Sequence, residues 1–143
     1  MQVGAKHQIF FSSNPHLASN NLYLKARLLS DPDSEVTVEE EMELTKKKAI
    51  LWKYDESGRI ISEYKKNKAL AVKDLSEIVL EPVEVAPSWF YNANTLVFSC
   101  LGYNGALTVK KGEDDQYYLR LEPYDNNNET QRFRVRVVHS ANI

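Results

Sequence analysis

Between Glu122 and Gln131 the chain reads Glu-Pro-Tyr-Asp-Asn-Asn-Asn-Glu-Thr-Gln. This short stretch holds one aromatic ring, Tyr124, and three carboxylates, Glu122, Asp125 and Glu129. It also holds the primary amides of Asn126, Asn127, Asn128 and Gln131. A sugar ring presents an apolar C–H face and a rim of hydroxyls. Its recognition needs a flat apolar surface beside planar groups that both donate and accept hydrogen bonds. Glu122, Tyr124, Asp125, Asn126, Asn127, Asn128 and Gln131 are therefore the candidate carbohydrate-binding residues. The same run is also a good turn, because Asn and Asp side chains hydrogen-bond nearby backbone.

Other reactive residue types are sparse. His7, His16 and His139 have no ligand-like spacing with each other or with Cys100, so no metal and no other cofactor is expected. Cys100 directly follows the serine of an apolar strand, the position of a structural cysteine rather than a nucleophile. Gly102-Tyr103-Asn104-Gly105 reads as a turn before a strand and not as a phosphate loop. The carboxylates of Glu39 to Glu43 lie in a solvated run. Nothing here assembles an enzyme. Arg132, Arg134 and Arg136 alternate with Phe133, Val135 and Val137, which sets three guanidinium groups on one face of a half-buried strand. That stripe could receive a carboxylate or sulfate, or pair with neighbouring glutamates.

The chain has 143 residues, 43% hydrophobic and 27% charged, with a formal net charge of −2. These values fit one soluble domain and argue against a nucleic-acid partner, which would call for a basic excess. No apolar run is long enough to span a membrane. The first residues carry no secretory pattern, and the lone cysteine excludes an internal disulfide, which together tilt toward a cytoplasmic setting.

The elements that would position these residues repeat three times. Leu22-Tyr23-Leu24-Lys25, Leu70-Ala71-Val72-Lys73 and Leu107-Thr108-Val109-Lys110 each follow an asparagine: Asn21, Asn67 or Asn104. Before each lies an apolar strand with a serine: Ile9 to Ser12, Arg59 to Ser62, and Leu96 to Ser99. After each lies a third strand, Val36 to Glu39, Val79 to Glu81, or Arg120 to Glu122, the last two running into Leu-Glu-Pro. A fourth strand then brings an aromatic: Ile50-Leu51-Trp52, Trp89-Phe90-Tyr91 or Arg132-Phe133-Arg134. Four short strands, three times over, are too few for a propeller and suit an all-β trefoil, with six strands closing a barrel and six capping it as hairpins. The expected architecture is one domain over residues 1–143, in pseudo-symmetric units of about 1–55, 56–92 and 93–143. The stretch from Val38 to Lys48 has helix-forming composition and is read as a long hairpin or helical turn inserted in the first unit.

Gly58-Arg59-Ile60 and Gln131-Arg132-Phe133 resemble the Gly-x-Ile and Gln-x-Trp marks of the ricin-type lectin repeat. The resemblance implies a non-enzymatic module that binds a carbohydrate or glycoprotein. In that family an Asp on the second strand, an aromatic platform on the third and Asn or Gln before the fourth hold the sugar. Here the Asp position carries Tyr23, Ala71 and Thr108, and the platform carries Glu39, Glu81 and Glu122. The family's site is thus not expected in the first two units, and the third-unit loop is the place for any sugar.

A protein-binding trefoil, such as a protease inhibitor or cytokine-like ligand, is the alternative. It would use the segment from Glu39 to Lys48, or the loop from Glu84 to Trp89 with Trp89 as an exposed anchor. The other reading of Trp89 is a core aromatic. Leu22, Leu24, Leu70, Val72, Leu107 and Val109 are expected in the core, with Trp52, Phe90 and Phe133 pointing into it. The chain is expected to be a monomer or homodimer.

Overall fold

The computed structural model describes residues 1–12, 21–26, 36–39, 50–113 and 117–138. Among them are twelve β-strands, one short 3-10 turn and no α-helix. The strands are β1 (Lys6–Ser12), β2 (Asn21–Ala26), β3 (Val36–Glu39), β4 (Leu51–Tyr54), β5 (Ile60–Ser62) and β6 (Lys68–Lys73). They continue with β7 (Glu77–Pro82), β8 (Trp89–Asn92), β9 (Val97–Cys100), β10 (Ala106–Lys111), β11 (Tyr117–Glu122) and β12 (Arg134–Val138). Of the stretch read as an insertion, Val38 and Glu39 belong to β3, and residues 40–49 lie outside the described residues.

All strand pairing is antiparallel, in one curled sheet. Three hairpins, β2–β3, β6–β7 and β10–β11, share one register. Leu24 faces Val38, Leu70 faces Leu80, and Leu107 faces Leu121. β1 pairs with β2, β4 and β12, while β4–β5–β6 and β8–β9–β10 form two further runs. Two seams between runs are bridged by single backbone hydrogen bonds, Trp89 N–H to the Gly58 carbonyl and Phe133 N–H to the Leu96 carbonyl, each 2.7 Å.

The core is the inward face of these pairs. Leu24, Leu70, Val72, Leu107 and Val109 are buried as expected, over Trp52, Trp89 and Phe133. Of Leu22 only the backbone is described, opposite Phe11. Buried indole N–H groups need acceptors. That of Trp52 donates to the Leu24 carbonyl and that of Trp89 to the Leu70 carbonyl, both at 2.9 Å. These twin bonds correct the alignment of the first hairpin by two residues. Leu24, not Leu22, matches Leu70 and Leu107, so Lys25 stands at the register position of Ala71 and Thr108.

A second correction concerns Phe90. It is 64% exposed, and Trp89 takes the core position at 2% exposure. Successive strand residues face opposite sides. The Trp89–Cys100 pair turns inward and the Phe90–Ser99 pair outward. Only Trp89 also has a carbonyl waiting for its N–H. Trp89 is therefore the core aromatic, and the protein-binding alternative loses its exposed anchor.

Candidate functional site

β11 ends at Glu122, and Pro123 cannot extend the ladder because it lacks an N–H. The chain then makes a loop that returns through a 3-10 turn, Glu129–Gln131, to the buried ring of Phe133. The loop is built by its own polar side chains. Asp125 Oδ1 accepts from Asn127 N–H at 2.9 Å. Asn128 Oδ1 accepts from Thr130 N–H at 3.0 Å and caps the 3-10 turn. Arg132 donates from Nη2 to the Asn126 carbonyl at 2.7 Å.

Gln131 sits inside this loop, 1% exposed. Its Oε1 accepts from Asp125 N–H at 2.9 Å, and its Nε2 donates to the Pro123 carbonyl at 2.9 Å and to Thr108 Oγ1 at 3.2 Å. Thr108 Oγ1 in turn donates to the Ala106 carbonyl at 2.9 Å. The place where the lectin resemblance puts an Asp and a Gln is thus a closed, neutral hydrogen-bonded pair. Gln131 holds the loop from beneath and is not open to a ligand.

Facing the loop is the turn between β8 and β9. Asn92 Oδ1 accepts from the N–H groups of Asn94 and Thr95. Leu96 is held at φ 65°, a left-handed conformation unusual for a branched side chain. Its N–H donates to the Asn92 carbonyl, while its own carbonyl takes Phe133 N–H. Strain of this kind persists where surrounding bonds fix it, and it concentrates at functional sites.

Between turn and loop lies a depression of about 460 Å³. Four of the sequence-derived candidates line it: Tyr124, Asp125, Asn126 and Asn128. Tyr124 is 51% exposed. Three of the others stand elsewhere. Asn127 is exposed at the loop tip outside the lining, Gln131 is beneath, and Glu122 is paired with Lys110 Nζ at 2.9 Å on the β10–β11 hairpin. Glu122 keeps the Lys110 ammonium above its usual range, first through their hydrogen bond and then through charge. The depression also takes in Asn94, Thr95, Leu96, Val97 and Arg132, which the candidate set missed. The signal was the Asn-Ala-Asn-Thr run at residues 92–95, a second Asn-rich turn.

The remaining reactive groups are internal. Cys100 is buried, and burial pushes its thiol up to about 12. His7 is fully buried, accepts from Gln2 N–H at Nε2, and is lowered from its ordinary value chiefly by desolvation. Among the described residues no three His, Cys, Asp or Glu side chains converge as a metal site. No helix among them is long and apolar enough to cross a membrane.

No family model matches this chain, and no curated protein matches it in sequence. Solved structures do match in shape. An earthworm lectin C-terminal domain, solved as a mutant with 6'-sialyllactose, superimposes with a TM-score of 0.73 at 16% identity, over 94% of this chain and 99% of its own. The mdaA-1 domain gives 0.72 at 13% identity, over 94% of this chain and 90% of its own. The β-trefoil lectin of Vibrio vulnificus hemolysin/cytolysin, solved with N-acetyl-D-lactosamine, gives 0.67 at 15% identity, over 96% and 98%. At such identities the likeness speaks for the fold, and with the strand pattern above it gives the chain the β-trefoil fold that these lectins share.

Proposed function

We propose that this chain is a non-enzymatic carbohydrate-binding module that takes its ligand in the depression between the β8–β9 turn and the Tyr124–Asn128 loop. In this reading residues 1–143 form one domain of three four-stranded units, and the two single-bond seams complete a closed barrel. The observation that carries the proposal is the joining of two Asn-rich turns around one exposed ring. Tyr124 offers the apolar surface for a sugar's C–H face. The amides of Asn94, Asn126 and Asn128 line the same depression, with Asp125 and Arg132 as charged partners.

The roles divide physically. Asn128 and Asp125 each commit an oxygen to the loop itself, so they fix its shape. The side chains of Tyr124 and Asn126 make no hydrogen bond among the described residues and are free to meet a ligand. The test is a glycan array followed by titration of the best glycan against Tyr124→Ala with Asn126→Ala. Affinity should fall on the order of 30-fold, the equivalent of about 2 kcal/mol for losing an anchor ring and an amide. The unfolding midpoint should stay in place, because both side chains are exposed. An unchanged affinity would remove the site.

A further inference from the structure

The two seams that join the strand runs are built alike. At one, Phe133 N–H reaches the Leu96 carbonyl, and at the other, Trp89 N–H reaches the Gly58 carbonyl. Gly58 sits at φ 82° and Leu96 at φ 65°, so both turns aim a carbonyl inward from a left-handed residue. The depression described above opens beside the first of these bonds. Beside the second opens another cavity, of about 680 Å³, between the β4–β5 turn, the start of β8 and the β9–β10 turn.

Its walls differ in chemistry. Phe90 and Leu101, 64% and 76% exposed, stand on the outward face of the β8–β9 ladder. Leu101 N–H bonds the Ser88 carbonyl, and Phe90 pairs with Ser99, which puts the two apolar side chains on one diagonal. Tyr103, partly buried against the core, continues this wall. Ser57 and Ser99 supply hydroxyls, and Glu56 supplies a carboxylate. The lining contains no lysine or arginine. Phe90 and Leu101, both large and exposed apolar residues, line this one cavity together.

We infer that this cavity is a second ligand site, suited to the apolar face of a neutral pyranose. The aromatic and aliphatic wall matches a ring's C–H face, and the serines and Glu56 match equatorial hydroxyls. A carboxylate with no cation beside it disfavours an acidic sugar, in contrast to the first site, where Arg132 lines the wall. Gly58 forms part of the floor. A Cβ there would come within 3.2 Å of Ser88 Cβ and 3.3 Å of the Trp89 carbonyl oxygen. The inference rests on the saccharide-binding reading, and it makes the module bivalent.

The experiment is a titration of the full chain with methyl β-D-galactopyranoside, methyl β-D-glucopyranoside and N-acetyllactosamine, followed by backbone amide chemical shifts. Two groups of shifts are expected, one over Asn94 to Leu96 and Tyr124 to Asn128, the other over Phe90, Ser99 and Leu101. Phe90→Ala should weaken the second group roughly tenfold and leave the first alone. Tyr124→Ala should do the reverse. Leu101→Ser serves as a second variant, and both side chains are exposed enough for the fold to survive. Shifts confined to the first group, or second-group shifts that persist in both Phe90→Ala and Leu101→Ser, overturn the second site and leave the first. Second-group shifts caused by a hydrophobic dye but by no sugar overturn it as well. Absence of both groups with every sugar overturns the two sites together.

Discussion

Replacing Gln131 by alanine tests whether that residue is scaffold or ligand contact. The side chain is 1% exposed and makes three hydrogen bonds, to Asp125 N–H, the Pro123 carbonyl and Thr108 Oγ1. A net hydrogen bond is worth about 0.5–1.5 kcal/mol, and a buried group left unpaired costs more than the average. Three such losses, with the Pro123 carbonyl and Asp125 N–H left to find water, come to about 2–4 kcal/mol. For a chain of this size each kcal/mol moves the thermal midpoint by about 3–4 °C, so a fall of roughly 6–15 °C is expected. Circular dichroism melts and urea titration measure it. Gln131→Glu adds a sign test. It keeps the acceptor for Asp125 N–H, retains one donor when protonated and none when ionised, and buries a carboxylate, whose pKa burial would raise. A raised carboxyl contributes stability below its unfolded value of about 4.3 and loses it as pH climbs through the folded value. Gln131→Glu should therefore come closest to the parent in acid and fall away toward neutral pH. A Gln131→Ala protein within about 0.5 kcal/mol of the parent that still loses glycan binding would refute the scaffold role.

Gly105 is at φ 135°, and a Cβ there would lie 2.8 Å from the Glu122 carbonyl oxygen, whereas Gly102, at φ 89°, has open space. Gly105→Ala should cost more than about 2 kcal/mol and Gly102→Ala only about 1, with equal losses in urea denaturation counting against the packing argument. Cys100, pushed up to about 12 by burial, should react with a disulfide reagent no faster than the protein opens. Its raised value contributes stability that is complete below about pH 9 and lost as pH rises toward 12, and Cys100→Ala should flatten that decline. Stoichiometric labelling within the mixing time at neutral pH would show the thiol to be accessible.

The strands were legible because their signal is redundant. Leu70 to Lys73 and Leu107 to Lys110 carry the same inward pair, the same preceding asparagine and the same Leu-Glu-Pro exit, and the two hairpins pair in one register. What failed was phase. Trp89-Phe90-Tyr91 offers three aromatics in succession, and hydrophobicity cannot choose which side of the strand faces inward. The choice was made by a hydrogen bond, since the indole alone could satisfy the Leu70 carbonyl across the core. Leu22-Tyr23-Leu24 posed the same ambiguity in the first hairpin, and the Trp52 indole resolved it at Leu24. Buried polar atoms thus fixed registers that the apolar pattern left free by one or two residues.

The candidate site was legible in composition but not in depth. An Asn-rich run signals a turn and a polar surface equally, and only the fold sorts one amide from the next. Gln131 and Asn128 differ little as residue types, yet one lies under the loop and the other on the cavity wall. The opposite wall comes from residues 94–97, far from the loop in sequence and joined to it through a single bond, Phe133 N–H to Leu96 O. The position that the lectin resemblance assigns to an Asp and a Gln is closed instead. Thr108 and Gln131 neutralise that position by bonding to each other, which removes a buried carboxylate and its desolvation cost. The seam beside it still needs a left-handed turn and a polar loop to close it, and closing it creates a concave surface whatever residues are used. Where Arg132 stands at one seam, Ser88 stands at the equivalent place in the other, just before the core aromatic. One architectural requirement therefore yields two clefts, and the side chains on their rims are free to diverge because neither contributes to the core.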